Sequence, residues 1–153
     1  MRRARAGFTL VEIVAAMAVM ALAMGLVVPA IQGGMRTREI WREARYFAGA
    51  LRYLRREALA TGQIQELVLS TGRHAYQATT LADPVELADS AAFLAVDGGN
   101  DLGGDLVRVM FYPNGGTSGL AVVIGSRDDP LGVRYQVQLD PLLGTVTIGD
   151  AGA

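Results

Sequence analysis

Gly7-Phe8-Thr9-Leu10-Val11-Glu12 is the stretch that decides the fold, because it joins a short basic start to a long apolar run. From residue 8 to residue 31 the only ionisable side chain is Glu12. At a rise of about 1.5 Å per residue, about 20 apolar residues cross a hydrocarbon core of roughly 30 Å. The sequence therefore predicts a transmembrane helix over residues 8–31.

The start of the chain differs from an ordinary secretory signal, whose apolar stretch is shorter and precedes its cleavage site. Here the plausible cut lies between Gly7 and Phe8, before the apolar run. Such a cut removes a leader of residues 1–7 with its three arginines and keeps the helix. Because basic residues beside a span stay in the cytoplasm, we expect the N-terminus inside and everything after Ile31 outside.

Glu12 is a carboxylate inside the predicted span, where ionisable groups are costly and usually functional. If the chain is cut before Phe8, the new amine of Phe8 lies one helical turn from Glu12. The two groups would then pair, within one subunit or between neighbours. The alternative is a glutamate that extends to the lipid headgroups from near the helix end.

These residues resemble the class III leader of type IV pilin-like proteins, in which a basic leader ends in Gly and is followed by Phe-Thr-Leu-x-Glu. The resemblance implies that a prepilin peptidase cuts between Gly7 and Phe8 and methylates the amine of Phe8. It also implies that Glu12 pairs with the Phe amine of an adjacent subunit and sets the register of a helical filament. Pro29 stands where the family often bends its helix, since proline removes a backbone hydrogen bond.

Residues 32–62 are predicted to form an amphipathic second half of the N-terminal helix. Arginines alternate there with apolar residues at the helical period, namely Ile40, Ala44, Phe47, Leu51, Leu54 and Ala58. Gly62 is a typical helix stop. Gly33-Gly34 predicts a bend or local melting, or one long curved helix if packing overrides the glycines. Trp41 is either an interfacial anchor or a packing residue.

Residues 63–153 are predicted to form a β-rich head, giving an α+β fold in which the helix packs on an antiparallel sheet. Asp140-Pro141 and Leu143-Gly144 predict a turn that closes a C-terminal hairpin. In the strand before it, Tyr135, Val137 and Leu139 should face one side. The predicted strands are Glu66–Ser70, Ala75–Thr79, Leu106–Tyr112, Leu120–Ser126, Arg134–Leu139 and Thr145–Ile148.

The resemblance narrows in the second half of the helix and in the head. Residues 47–58 with Thr61-Gly62 are similar to the helix end of the GspH/FimT group, which comprises H-type minor pseudopilins of type II secretion and related minor type IV pilins. Residues 111–119 resemble that group's Phe-x-Pro-Asp/Asn-Gly loop, with Asn114 where Asp is frequent. Residues 135–146 resemble its closing hairpin. The resemblance implies a pilin-like fold over nearly the whole chain except residues 80–105.

Charge is distributed unevenly along the chain. Residues 32–60 contain seven arginines and three glutamates, whereas residues 61–153 contain four arginines and eleven acids. A basic stem thus precedes an acidic head, which would help subunits to dock. The alternative is that the charged residues of the stem only form a solvated helix face.

A nucleic-acid-binding protein, which would bind phosphate groups through its arginines, is an interpretation from a different functional class. The acidic head and its scattered arginines argue against it, and we expect no nucleic-acid partner.

Residues 80–105 are predicted to be a long connection between strands. Residues 97–105 place three aspartates among glycines, which would suit calcium, a flexible acidic loop or a partner-binding surface. The spacing of an EF-hand is absent, so the sequence assigns no metal site and no cofactor.

The sequence carries no catalytic signature. His74 is the single histidine, the chain has no cysteine, and the nucleophile-elbow and phosphate-loop motifs are missing. No catalytic residue is therefore predicted, and we expect a protein that is not an enzyme.

The resemblance implies a minor pseudopilin of the periplasmic pseudopilus of type II secretion, or alternatively a minor type IV pilin for pilus assembly, twitching or DNA uptake. The expected location is the inner membrane, with a single span and the head in the periplasm. The expected partners are other pseudopilins, both major and minor tip subunits, prepilin peptidase, the inner-membrane assembly platform and inner-membrane lipid.

Overall fold

The structure of the chain is a computed structural model that describes residues 10–152, and of residues 25–35 the backbone alone. A single helix, α1, spans Leu10–Thr61. Its helical backbone continues through Gly33-Gly34, so the chain does not melt locally there. The chain divides into two units, Met1–Met35 and Arg36–Ala153, of which the second contains the head.

The described part of the first unit is helical and exposes its apolar side chains. Within the part of the chain that the structure describes, no helix combines the length and the hydropathy of a membrane span. The exposed apolar side chains of this unit are Leu10, Val11, Ile13, Val14, Met17, Val19, Met20, Leu22 and Met24.

The head contains two antiparallel sheets, where the sequence predicted one. The first has the strand order β3-β2-β1-β6-β5 and the second has the order β4-β7-β8-β9. The strands are β1 (Gln65–Ser70), β2 (Ala75–Ala78), β3 (Val85–Glu86), β4 (Ala91–Gly98), β5 (Asn100–Gly103), β6 (Leu106–Phe111), β7 (Leu120–Ser126), β8 (Arg134–Leu139) and β9 (Val146–Asp150).

The second half of α1 packs on both sheets through the predicted apolar stripe, and all six of its residues are at most 1% exposed. Its Phe47 ring meets Tyr76 of β2 and Phe93 of β4 edge to face, at centroid distances of 5.2 and 5.5 Å. The helix ends as predicted, since Gly62 takes a φ of 68° and its N–H bonds the carbonyl of Ala58. The α+β fold class, with the helix packed on antiparallel strands, is confirmed.

The six predicted strands are all present, with bounds shifted by at most two residues. In β8, Val137 and Leu139 are buried and Tyr135 is half-buried, whereas Gln136 and Gln138 are exposed, as the alternation predicted. The predicted C-terminal hairpin pairs β8 with β9.

The prediction of a long connection over residues 80–105 is wrong, because β3, β4 and β5 lie there. The sequence of β4 lacks the alternation of apolar and polar residues that marks a strand. The reason is that its pairing with β7 shifts register between Phe93 and Ala95, which inserts Leu94 as an extra residue. Such a bulge breaks the period of two. Alanine, which has low strand propensity, makes the signal weaker still.

Candidate functional site

The residues of the predicted leader site, Gly7 and Phe8, lie outside the described residues, so cleavage and N-methylation stay predictions. Glu12 lies in the first turn of α1, with its side chain exposed. Pro29 falls within α1, in the stretch whose side chains lie outside the described residues, and the bend there also stays a prediction.

In the head, the structure brings together the three motifs that carry the resemblance to the GspH/FimT group. Arg55 of α1 is the side chain that joins them. Its Nη2 donates a hydrogen bond of 2.8 Å to the carbonyl of Leu143, in the turn between β8 and β9. Its Nε donates one of 3.3 Å to the carbonyl of Gly115, in the loop after β6. One half-buried guanidinium thus fixes the loop and the hairpin to the helix.

Arg52 adds a second tie from the same helix. One helical turn before Arg55 on the same side of α1, it donates a hydrogen bond of 2.9 Å to the carbonyl of Val146, at the start of β9. Sequence reasoning recognised the two arginines only as part of a family pattern and assigned them no role.

The loop after β6 is shaped by its own polar side chains. The Asn114 Oδ1 accepts a hydrogen bond from the N–H of Gly116 at 3.0 Å, which is the local turn contact that asparagine side chains favour. Thr117 then donates from its hydroxyl to the carbonyl of Asp140 at 3.1 Å and bonds the carbonyl of Pro141 through its N–H. These bonds hold the loop directly against the C-terminal hairpin.

The hairpin turn is organised by Asp140. Its Oδ1 accepts hydrogen bonds from the N–H groups of Leu142 and Leu143, at 2.8 and 2.7 Å. Its backbone N–H bonds Thr145, and its carbonyl accepts from Gly144. Leu142 and Leu143 therefore project from a rigid turn, at 85% and 65% exposure.

The aspartate-rich residues 97–105 comprise the end of β4, all of β5 and the turn that leads into β6, with which β5 forms a hairpin. Gly98 and Gly99 take φ values of 81° and 71°, which glycine adopts at little cost, and carry the chain from β4 in one sheet to β5 in the other. A Cβ at Gly99 would lie 2.6 Å from Val107. Among the described residues, no three His, Cys, Asp or Glu side chains lie close enough together to hold a metal ion.

Two glutamates on the flank of α1 hold the segment before β4, an arrangement that sequence reasoning missed. Glu39 accepts a hydrogen bond of 2.8 Å from the hydroxyl of Ser90. Glu43 accepts one from the backbone of Ala88, and burial raises the pKa of its carboxyl although Arg42 beside it acts in the opposite sense. The only available signal was the position of both acids next to the apolar stripe.

Trp41 contacts Tyr135 of β8 edge to face, with ring centroids 4.9 Å apart, and remains 39% exposed. The packing role is therefore confirmed in the head. Part of the indole still faces solvent beside Arg42 and Arg45.

His74 connects the two sheets. It has a φ of 51° between β1 and β2, and its Nδ1 accepts a hydrogen bond of 3.3 Å from the N–H of Phe93 in β4. Burial lowers the pKa of the His74 imidazole below its ordinary value of 6.5, and the charge of Arg127 lowers it further. The neutral ring is thus the form that the fold prefers.

We expect the head to lose stability as pH falls below about 6.5, because the unfolded chain then binds a proton that the folded His74 resists. His74→Asn should remove this dependence, since asparagine tolerates positive φ and supplies an acceptor oxygen. Denaturant unfolding of both proteins between pH 7.5 and pH 5 measures the difference. If the free energy of unfolding of the two proteins falls equally as the pH is lowered, the assignment to His74 is wrong. Glu43 also has a shifted pKa, but it is present in both proteins and contributes equally to both.

Comparison with known proteins bears on both parts of the chain. A family model described as the prokaryotic N-terminal methylation motif matches residues 2–28. No curated protein matches this chain.

The fold is shared with solved structures of a minor pseudopilin. The chain is similar to the minor pseudopilin EpsH from the type 2 secretion system of Vibrio cholerae, with a TM-score of 0.59 and 15% identity, over 75% of this chain and 99% of that chain. A second crystal structure of the same pseudopilin gives a TM-score of 0.59 and 12% identity, over 73% and 94% of the two chains. The chain therefore combines the prokaryotic N-terminal methylation motif with a fold that is shared with a minor pseudopilin.

Proposed function

We propose that this chain is a minor pseudopilin, a structural subunit of the periplasmic pseudopilus of a type II protein secretion system. The observation that carries the proposal is the combination of a methylation motif over residues 2–28 with a head that has the fold of an H-type pseudopilin. The motif supplies the signal for entry into a filament, and the head supplies the surface by which one subunit differs from another.

The proposed location is the inner membrane, with the N-terminus in the cytoplasm and the head in the periplasm. The apolar composition of residues 8–31 and the arginines of the leader support this orientation. The exposed apolar side chains of the first half of α1 also need a cover, which lipid provides before assembly and neighbouring helices provide after it. Ala21 and Gly25, four residues apart, would let such helices approach closely.

The partners of such a subunit follow from its parts. Prepilin peptidase would act at Gly7 and Phe8, and the inner-membrane assembly platform would take up the processed chain. Other pseudopilins, major subunits and minor tip subunits alike, would pack against α1, with Glu12 paired to a Phe8 amine. A pilin-like structural fold favours assembly over chemistry, so the proposed role involves no catalysis and no cofactor.

The first test is the intact mass of the full chain after extraction from membranes of cells that express a prepilin peptidase. We expect a chain that begins at Phe8 and carries one added methyl group. A Gly7→Val variant is the control and should retain its leader, because a branched side chain replaces the glycine at the cut. An uncut wild-type chain, or one that has lost the whole apolar segment, would refute the proposed class.

A second candidate, a minor type IV pilin, is favoured by the methylation motif, which type IV pilins share. Deletion of the gene in its own host separates the two. A pseudopilin predicts loss of protein secretion with pili intact, whereas a minor pilin predicts loss of pili, twitching or DNA uptake with secretion intact.

A further inference from the structure

The outer face of α1 in the head carries arginines and tyrosines. At 3.6 residues per turn their positions fall on one side of the helix, opposite the buried stripe. We call this set the arginine face; it consists of Arg38, Arg42, Arg45, Tyr46, Tyr53 and Arg56, all exposed.

Most arginines of this face form no ion pair or hydrogen bond within the described part of the head. Arg42 lies 3.6 Å from Glu39 and 3.8 Å from Glu43. In the described part of the chain, Arg38, Arg45 and Arg56 take part in no hydrogen bond or ion pair between side chains or with the backbone. Three guanidinium groups thus remain available to a partner.

The arginine face also has the shape and composition of a protein-binding surface. A groove of about 340 Å³ is lined by Trp41, Arg42, Arg45 and Tyr46. Tyr46 is 64% exposed and Tyr53 is 46% exposed. Tryptophan, tyrosine and arginine are the residues most enriched among those that dominate binding energy at protein interfaces.

A surface of opposite charge lies elsewhere on the same head. The name aspartate hairpin is used for residues 97–105, which run from the end of β4 through β5 to the turn of the β5–β6 hairpin; they contain Asp97, Asp101 and Asp105, all exposed, and no basic residue. Beside these acids, Leu102 is 43% exposed and Leu106, the residue that follows, is 41% exposed. Within the residues that the structure describes, none of the three aspartates forms a salt bridge. The hairpin therefore offers carboxylates and leucines, which complement guanidinium groups and aromatic rings.

We propose that the arginine face of one copy of this chain docks on the aspartate hairpin of a second copy. No ion pair joins the two surfaces within one copy in the described structure, so a single head does not neutralise its own patches. Opposite potentials guide two copies into one orientation and disfavour like-to-like contacts.

The geometry of such a contact suits a filament. Each head would contact one neighbour through its arginine face and the other neighbour through its aspartate hairpin. Because two different surfaces meet, the interface is heterologous, or head-to-tail. A heterologous interface that does not close into a ring propagates as an open helical array. The inference rests on the proposed function and names a partner for it, namely the neighbouring subunit that presents the hairpin.

The experiment uses the fragment of residues 36–153. This unit contains the entire described core, from Ile40 to Leu139, so the fragment has what it needs to fold alone. Because it lacks the leader and the predicted span, its behaviour is independent of processing and of membrane insertion. If the fragment does not self-associate while Phe8 of the full chain is methylated normally, this inference is refuted and the proposed function stands.

Two charge-reversal variants each remove one surface. Arg45→Glu with Arg56→Glu changes the arginine face, and Asp97→Arg with Asp105→Arg changes the hairpin while keeping Asp101, whose Oδ1 accepts the N–H of Gly103. Sedimentation should show that the wild-type fragment self-associates below about 1 mM and that each variant alone is weakened at least about tenfold.

Mixing the two variants is the decisive measurement. The arginine-face variant keeps its hairpin and the hairpin variant keeps its arginine face, and the two reversed surfaces again carry opposite charges, so an equimolar mixture should recover the association that each variant loses alone. Association should also fall at high salt, because charges are screened within about 3 Å at 1 M. Arg36→Glu and Asp83→Arg, exposed changes outside both surfaces, are the controls and should associate as the wild type does.

Three results would overturn the proposal. A wild-type fragment that stays monomeric at about 1 mM would assign the arginine face to a different subunit. A mixture of variants that does not dimerise would show that the two surfaces do not meet. If the control variants weaken self-association as much as the surface variants do, the loss comes from the change in net charge and not from the two surfaces.

Discussion

Gly144→Ala is expected to lower the free energy of unfolding of the head by about 2–5 kcal/mol. Gly144 has a φ of 61°, where a residue with a Cβ costs about 1–2 kcal/mol. The added Cβ would also meet the Arg55 Nε, and it would lie 2.5 Å from the carbonyl oxygen of Gly115 and 2.7 Å from the Arg55 Cδ. Displacing these groups adds about 1–3 kcal/mol, as overpacking of a filled site does.

Two other glycines separate these contributions. Gly104 has a φ of 65° and no heavy atom within 4 Å of an added Cβ, so Gly104→Ala should cost only the backbone part, about 1–2 kcal/mol. Gly149 has neither a positive φ nor a close neighbour, and Gly149→Ala should stay within about 0.5 kcal/mol of the wild type. Urea unfolding of the fragment of residues 36–153 measures all three. If Gly144→Ala lowers the free energy of unfolding no more than Gly104→Ala does, the Arg55 side chain and the loop after β6 move away from the added Cβ at no energetic cost.

Glu12→Ala is expected to leave leader cleavage intact and to reduce incorporation into filaments at least tenfold. The reason is the proposed pair between Glu12 and the Phe8 amine. Removing one partner of a pair that is withdrawn from water costs about 3–5 kcal/mol, and each 1.4 kcal/mol is about a factor of ten. The exposed position of Glu12 in the first turn of α1 leaves it accessible to a neighbouring subunit.

Conservative variants separate charge from shape at this position. Glu12→Gln keeps the size of the side chain and should fail nearly as Glu12→Ala does, whereas Glu12→Asp keeps the charge and should recover part of the assembly. Filaments sheared from cells, together with the intact mass of the membrane fraction, measure assembly and processing on the same sample. Normal assembly of Glu12→Ala would show the pairing account to be wrong.

The helix stripe shows what local pattern determines well. Ile40, Phe47 and Leu54 recur at the helical period, and each is buried as that period predicted. The same holds for β8, where alternation alone assigned Val137 and Leu139 to the core. In both elements the side that is buried follows from backbone geometry, which repeats over a few residues and is therefore visible in the sequence.

The strands over residues 85–103 show where local pattern fails. A bulge at Leu94 removes the alternation of β4, and the glycines that follow resemble a loop although they carry the chain from β4 in one sheet to β5 in the other. β1 pairs with β6, about forty residues further along the chain, and no nearby residue encodes that choice. Strand pairing depends on which partner completes the core, and that is a property of the whole head.

The sequence by itself determined the leader motif, the apolar run with Glu12, the length of the helix and most of the strands, because each depends on residue type and short-range period. Only the tertiary structure decided that the strands form two sheets. Only the tertiary structure, too, brought Arg55 within 2.8 Å of the carbonyl of Leu143 and 3.3 Å of that of Gly115. Those partners lie 88 and 60 residues away along the chain, and a contact at such a distance is selected by the packing of the folded core, not by local sequence.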